Sequence, residues 1–237
     1  MYSFRAQHGP VDLAFTDRFG GVSAPPFDSL NLAIEGGDPA PARAENLRLL
    51  LDDFAPGDAL ADLHQVHGND VVVARGAVDR AAADALVTDR PGVVLLVRAA
   101  DCIPVLLVDA DAAVVGAAHS GREGVVLGVV AETVRRMRSL GAERIRAWVG
   151  PHVCGACYEV PAELRDAVTA VEPATGATTS WGTPALDLGA GVRAQLEREG
   201  VEVEEVGRCT REDPALYSHR RDGAGAGRLA GLVRIAS

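Results

Sequence analysis

Val93-Val-Leu-Leu-Val97, Val105-Leu-Leu-Val108 and the run from Ala112 to Ala118 are three continuous apolar stretches in one short segment. Runs of this length, rich in β-branched residues and free of polar alternation, predict strands buried on both faces. Asp109-Ala-Asp111 makes a tight connection between the second and third. Downstream, Val126, Val129, Val130, Val134, Met137 and Leu140 fall at helical spacing, predicting a helix over Gly124–Leu140. Gly141 suits the position just past its end, and Arg135, Arg136 and Arg138 complement the negative end of its dipole. A strand follows over Ile145–Val149, leading into Gly150-Pro151.

Outward from this centre the same alternation continues. Pro161 opens a helix reaching about Val171, residues 172–184 read as a loop, and Asp187 caps a helix ending near Gly200 with Leu188, Val192 and Leu196 on one face. Val201–Val206 and Arg228–Ile235 read as strands. Upstream, a short apolar run starts at Val11, and a helix with Leu47, Leu50 and Leu51 as its stripe spans about Pro41 to Leu51 before Pro56-Gly57. His64–Ala74 reads as a strand ending in Val71-Val-Val-Ala74, and Ala81–Leu86 is a short segment whose Asp84 is placed to look into a site. Residues 1–237 show no repeat or linker, so the expectation is one mixed α+β domain.

Composition narrows the function classes. A net charge of −10 gives no general basic footprint for nucleic acid. No apolar stretch approaches the roughly 20 residues of a membrane span, and the N-terminus lacks the pattern of a signal peptide, so a cytoplasmic location is expected. Four cysteines in 237 residues are too few for a disulfide scaffold and read as thiols, ligands or nucleophiles.

Chemistry concentrates where apolar runs break into polar, Gly-rich turns. His67 lies in Gln65-Val-His-Gly68, Cys102 in Ala100-Asp-Cys-Ile-Pro104, and His119 in Ala118-His-Ser-Gly121. One thiolate and two imidazoles give three zinc ligands with a fourth position open, the pattern of a catalytic site. The same residues also suit a cysteine nucleophile with a histidine base. Alone, each would read as a core or structural side chain; their shared position at the ends of apolar strands favours a site. Cys154-Gly-Ala-Cys157 has knuckle or redox spacing, but with no second pair in sight it reads as a turn dispensable for metal binding. Tyr217–Arg228 is cationic and Gly-rich; it suits a flexible loop or an anion site built on Arg220, Arg221 and Arg228.

Together and in this order, these motifs resemble the YfiH family, also called the laccase-domain or polyphenol oxidase family. The resemblance runs from Arg18-Phe-Gly-Gly-Val-Ser23 and Ser29-Leu-Asn-Leu32 through the three site motifs, Gly150-Pro151, Cys157-Tyr-Glu-Val160 and Arg208-Cys-Thr210, to Arg228. It implies two packed β-sheets flanked by helices, a four-layer sandwich, with zinc held by His67, Cys102 and His119. It also implies phosphorolysis of adenosine, inosine, guanosine and methylthioadenosine, with adenosine deamination as a further activity. Purine nucleosides and phosphate are then the partners, and Arg18, Asn31, Gln65, Arg220, Arg221 and Arg228 the residues expected to hold them. Family reports of copper-dependent phenol oxidation and of peptidoglycan precursor editing leave copper and a Cys102/His119 amide hydrolase as alternatives. Six histidines, with His8 and His219 far from the cluster in sequence, are few for a multicopper centre. The chain departs from the family at His119-Ser-Gly-Arg-Glu-Gly124, where Arg122 and Glu123 stand in place of Trp-Arg. Glu123 would repel phosphate there unless Arg122 takes over the role.

Overall fold

The three apolar runs form the strands Val93–Ala99, Ile103–Asp109 and Val114–Ser120, and every residue of all three is buried. They belong to a computed structural model that describes residues 1–236. Among the described residues, most strands form two six-stranded sheets. The first runs in the order Tyr2–His8, Val11–Thr16, Leu229–Ile235, Val93–Ala99, Ala59–His64 and Val78–Ala82. The second runs Glu202–Glu205, Arg146–Val149, Ile103–Asp109, Val114–Ser120, Ala85–Thr88 and Val71–Val73.

Successive side chains on a strand face opposite ways, so a strand apolar on both faces must be covered twice. Val93, Leu95 and Val97 meet Leu106, Val108, Val115 and Ala117 between the two sheets, with Phe15 and Trp148 filling the same layer. Val94 and Leu96 instead pack under Leu50 and Phe54 of the helix Ala40–Phe54. On the far side, Ile103, Val105 and Leu107 pack against Val129, Val134 and Met137 and against Val192 and Leu196. The result is helix, sheet, sheet, helices: the four-layer α+β arrangement expected from the resemblance. No helix among the described residues is long and apolar enough to cross a membrane.

Local readings hold where the local signal is strong. The helices Ala162–Val171 and Leu188–Arg198 sit as expected, and the Asp187 carboxylate caps the latter by accepting from the Ala190 N–H at 2.9 Å. Three readings are corrected. The helix expected over Gly124–Leu140 is two helices, Arg122–Leu127 and Val129–Ser139, because Gly128 takes a left-handed φ of 73° between them and leaves Val126 and Leu127 exposed. The strand expected over His64–Ala74 is also two, Ala59–His64 and Val71–Val73, in different sheets. The segment between them crosses from one sheet to the other and carries His67. Within the loop expected over 172–184, Gly176–Thr178 pairs with Pro184–Leu186 in a small hairpin.

The connection after Ile103–Asp109 turns on one carboxylate. Asp109, 2% exposed, accepts the backbone N–H groups of Asp111 and Ala112 through Oδ1 and those of Glu143 and Arg144 through Oδ2. Burial works to raise its pKa, but these four donors outweigh it and hold the carboxyl below the usual aspartate range. A depressed pKa contributes stability that is present above the unfolded value of about 3.9 and lost as pH falls through the folded one. Asp109→Asn turns an NH2 group toward two of the donors. It should cost about 1–3 kcal/mol in chemical denaturation at neutral pH and flatten the loss of stability on acidification.

Candidate metal centre and its cavity

Antiparallel pairing of Ile103–Asp109 with Val114–Ser120 sets Pro104 opposite His119 and Ile103 opposite Ser120. Cys102, one residue before its strand begins, therefore arrives beside His119 at the end of the neighbouring strand. His67 comes from the crossing segment, at a left-handed φ of 59°. The Cys102 Sγ lies 3.9 Å from His67 Nε2, and the two imidazoles meet edge to face with centroids 4.9 Å apart. One ligand atom from each of His67, Cys102 and His119 lies within 4.8 Å of the others.

Asp84, with no exposed surface, fixes this arrangement. Its Oδ1 accepts from His119 Nδ1 at 2.8 Å, which leaves His119 Nε2 free as the ligand atom. Its Oδ2 accepts the Val66 and Gly68 N–H groups at 3.0 and 2.7 Å, which folds the segment on either side of His67. The Asp84 carbonyl also accepts the His119 N–H at 2.8 Å. One residue thus holds both histidines.

The charges follow from this packing. Burial alone would raise the Cys102 thiol, but hydrogen bonds and charge from His119 and His67 outweigh it and bring the pKa down to about 6. Burial would lower His119, yet Asp84 and Cys102 raise it to about 9. His67 is raised chiefly by its contact with Cys102. Asp84 is opposed by burial but held low by His119 and the two backbone donors. At neutral pH the cluster is therefore a thiolate beside a protonated imidazole, and a cation binding there displaces the proton.

The donor set fits a borderline-soft metal: two nitrogens and one sulfur converge, with room for a fourth ligand. Space behind them is tight. A Cβ on Gly121 would stand 2.8 Å from His67 Cδ2 and 3.1 Å from Cys102 Sγ, so only glycine fits there.

The cluster opens into a cavity of about 560 Å³, and the residues expected to bind substrate divide around it. Gln65, Arg220 and Arg228 line it. Gln65 is clamped to the Arg98 backbone, accepting its N–H at 2.7 Å and donating to its carbonyl at 2.8 Å. Arg220 stacks over Tyr158, its Cζ 4.5 Å from the ring centroid, and donates to the Glu159 carbonyl. Arg228 donates to the Ala226 and Gly227 carbonyls and pairs with no carboxylate among the described residues. Burial pushes its pKa down, and the Cys102 and Asp101 charges only partly restore it.

Arg221 is a correction. Its guanidinium turns away from the cavity and is consumed by Asp222 and by the carbonyls of Thr210, Asp213 and Leu216. Arg18 and Asn31 also serve the scaffold. Arg18 binds the Pro26 and Asp28 carbonyls and lies over the Tyr217 ring, while Asn31 bonds Asp38 and accepts the Arg228 N–H. Asn31 reaches only a small side pocket next to Arg228. Arg122 lines the main cavity and pairs with the exposed Glu123 at 3.3 Å, so the substitution in the His119 motif brings an arginine to the site together with its own carboxylate partner. His64, Tyr158 and His219 also line the cavity, from the end of the strand Ala59–His64, from the turn after Cys154 and from the short helix His219–Asp222; Tyr158 lies in the motif Cys157-Tyr-Glu-Val160, while the two histidines carry no local signal. His8 packs instead against Trp148.

Cys154 and Cys157 require a second correction. The partners that the sequence lacks nearby are Cys209 and Glu212, whose ligand atoms lie within 4.8 Å of theirs. Burial and the Cys209 thiol push Cys154 up to about 12, the reverse of an activated redox thiol.

The role given to Asp84 predicts the behaviour of Asp84→Asn. An amide cannot accept from His119 and from both backbone N–H groups at once. Metal affinity, measured by competition with a chromogenic chelator, should fall roughly 10–100-fold, while far-UV circular dichroism stays that of the parent.

Residues 12–236 match the family model described as multi-copper polyphenol oxidoreductase laccase. A purine nucleoside phosphorylase of Streptomyces coelicolor is 50% identical over 226 residues, covering 92% of this chain and 93% of its own. The purine nucleoside phosphorylase YfiH of Escherichia coli is 39% identical, covering 91% and 90%. Among solved structures, a Neisseria meningitidis protein superposes with a TM-score of 0.89 at 32% identity over 99% of both chains. YlmD from Geobacillus stearothermophilus gives 0.85 at 30% identity, over 96% and 93%. Nearly the whole length of the chain, including the segments of His67, Cys102 and His119, takes part in these matches, and the chain belongs to the laccase-domain family that includes YfiH.

Proposed function

We propose that the cavity carries out phosphorolysis of purine nucleosides, with zinc held by His67, Cys102 and His119. The observation that carries this reading is Arg228. A partly buried guanidinium with no carboxylate partner among the described residues, facing a cavity beside a Cys-His-His cluster, is a site in want of an anion. Phosphate supplies that anion, and the names of the relatives from Streptomyces and Escherichia point to the same chemistry.

In phosphorolysis, C1′ of the ribose gains positive charge as the bond to the purine lengthens and a phosphate oxygen approaches. Arg228, with Arg220 and Arg122 on the same wall, holds the phosphate by fixed charge and limits its reorientation during the reaction. Tyr158 and the stacked Arg220 offer a flat polarisable face for a planar base. Asp84 keeps His119 in one tautomer and His67 in place throughout. Zinc held by His67, Cys102 and His119 would supply a Lewis acid to the reaction. Adenosine deamination in the same cavity is the second activity of this proposal; there water adds at C6 of the purine and ammonia leaves, with the glycosidic bond intact.

Purified protein incubated with adenosine or inosine, with and without phosphate, tests the reading by chromatography of products. Free base and ribose 1-phosphate should form only with phosphate, and inosine from adenosine without it. Thiol-sensitive amide hydrolysis with no nucleoside turnover would transfer the site to the cysteine hydrolase reading. Arg228→Lys should raise KM for phosphate roughly 10–100-fold, with a smaller change for the nucleoside, because lysine cannot form two parallel bonds to phosphate. Arg221→Lys should leave the ratio of the two KM values unchanged.

A further inference from the structure

We propose that Cys154, Cys157, Cys209 and Glu212 form a second metal site, structural rather than catalytic, for zinc or a divalent cation of similar softness. The proposal does not depend on the reading of the main cavity.

Two loops build the site. In the first, the Cys157 and Tyr158 N–H groups bond the Cys154 carbonyl at 2.9 and 3.0 Å, a tight turn that brings the Cys154 and Cys157 side chains together. The turn is pressed onto the cap of the helix Leu188–Arg198: a Cβ on Gly155 would stand 2.8 Å from the Asp187 Cβ. The second loop follows the strand Glu202–Glu205 and is tied to the first by a parallel bridge between His152 and Cys209. Across this bridge the Cys154 N–H donates to Cys209 Sγ at 3.4 Å, and the Cys157 thiol donates to Glu212 Oε1 at 3.5 Å.

The four ligand atoms all lie within 4.8 Å of one another. Tetrahedral zinc with Zn–S bonds of about 2.3 Å places its sulfurs about 3.8 Å apart. The observed cluster therefore needs only a small inward adjustment to close. Three thiolates and a carboxylate give a closed four-ligand set, which distinguishes this site from the open one at His67, Cys102 and His119. Arg193 and Arg208 line the adjoining cavity of about 320 Å³, where Arg193 pairs with Glu205 and Arg208 with Asp213.

The position of the site explains what it would do. Thr210, next to Cys209, donates its hydroxyl to Asp101 Oδ1 at 2.6 Å and its N–H to the His152 carbonyl at 3.0 Å. Val153, next to Cys154, donates its N–H to the Asp101 carbonyl at 3.1 Å. Asp101 Oδ2 accepts the Arg220 N–H at 2.6 Å, and Asp101 itself holds a left-handed φ of 86° immediately before Cys102. A cation joining the two loops would thus stiffen the support of Cys102, Tyr158 and Arg220 from behind, without contacting anything bound in the cavity.

Metal content by plasma mass spectrometry, on protein purified without chelators, tests the site. The parent should carry about two zinc ions per chain, and both the His67→Ala/Cys102→Ala and the Cys154→Ser/Cys209→Ser variants about one. Because loss of two buried-loop thiols could prevent folding, a spectroscopic measurement stands beside it. In His67→Ala/Cys102→Ala the remaining cysteines are Cys154, Cys157 and Cys209. Added Co(II) should give intense thiolate-to-metal charge-transfer bands and the visible bands of tetrahedral cobalt. In the same background Glu212→Gln, a change at an exposed side chain, should weaken cobalt binding about tenfold or more, comparable with the 10–100-fold cost of losing an outer partner of a metal ligand. No charge-transfer band at saturating Co(II), or parent-level zinc in Cys154→Ser/Cys209→Ser, overturns the proposal.

Discussion

The hydrogen bonds of one buried carboxylate govern the centre of this protein. Asp84 stands at the start of an inner strand of the second sheet, beside the strand that ends in His119, and next to the segment that crosses from the first sheet with His67. A buried carboxylate is costly unless each oxygen is satisfied. Here both oxygens are satisfied only when His119 presents Nδ1 and the His67 segment curls to present two N–H groups. The need to solvate one charge therefore fixes the tautomer of one histidine and the backbone path of the other. Cys102 then needs only the register of an antiparallel hairpin to complete the set.

The four layers supply the rigidity on which this depends. The three central strands are covered on both sides, so their ends move little, and the cavity is lined from strand ends, from the loops leaving them and from the first residues of helices, as at Arg122 and Leu188. Burial also explains the division among the arginines. Arg221, Arg18 and Arg98 meet carboxylates or carbonyls and stabilise loops, whereas Arg228 meets no carboxylate among the described residues beside the cavity. At the altered motif Arg122 reaches the cavity while paired with the exposed Glu123. The cavity keeps its cationic wall despite the altered motif.

Several parts of the site were legible because their signal is local. An apolar run ending in Asp-Cys, and another ending in His-Ser-Gly, mark strand ends wherever the chain folds. Asp84 stood out as a carboxylate in a small-residue stretch. The crossing segment was not legible: His64–Ala74 has the composition of one strand, and only the competition between two sheets for its halves breaks it. Gly128 was likewise overridden by a helical apolar period that continues on both sides of it. Val126 and Leu127 contribute to that period although they lie on the surface.

The sequence by itself determined the buried strands, the helices with clear caps, the family and the motifs that bring His67, Cys102 and His119 together. Those follow from hydrophobic period, from capping chemistry and from short motifs, all of which act over a few residues. Tertiary structure alone decided which arginines face the cavity, since a guanidinium accepts any nearby carbonyl and its choice depends on the loops that surround it. It alone brought His219 and His64 to the cavity wall. It also gathered Cys209, 55 residues beyond Cys154, against the Cys154–Cys157 turn. Spacing along the chain carries no information about a contact made by the pairing of distant loops, because the free energy of that contact comes from the packing that closes them.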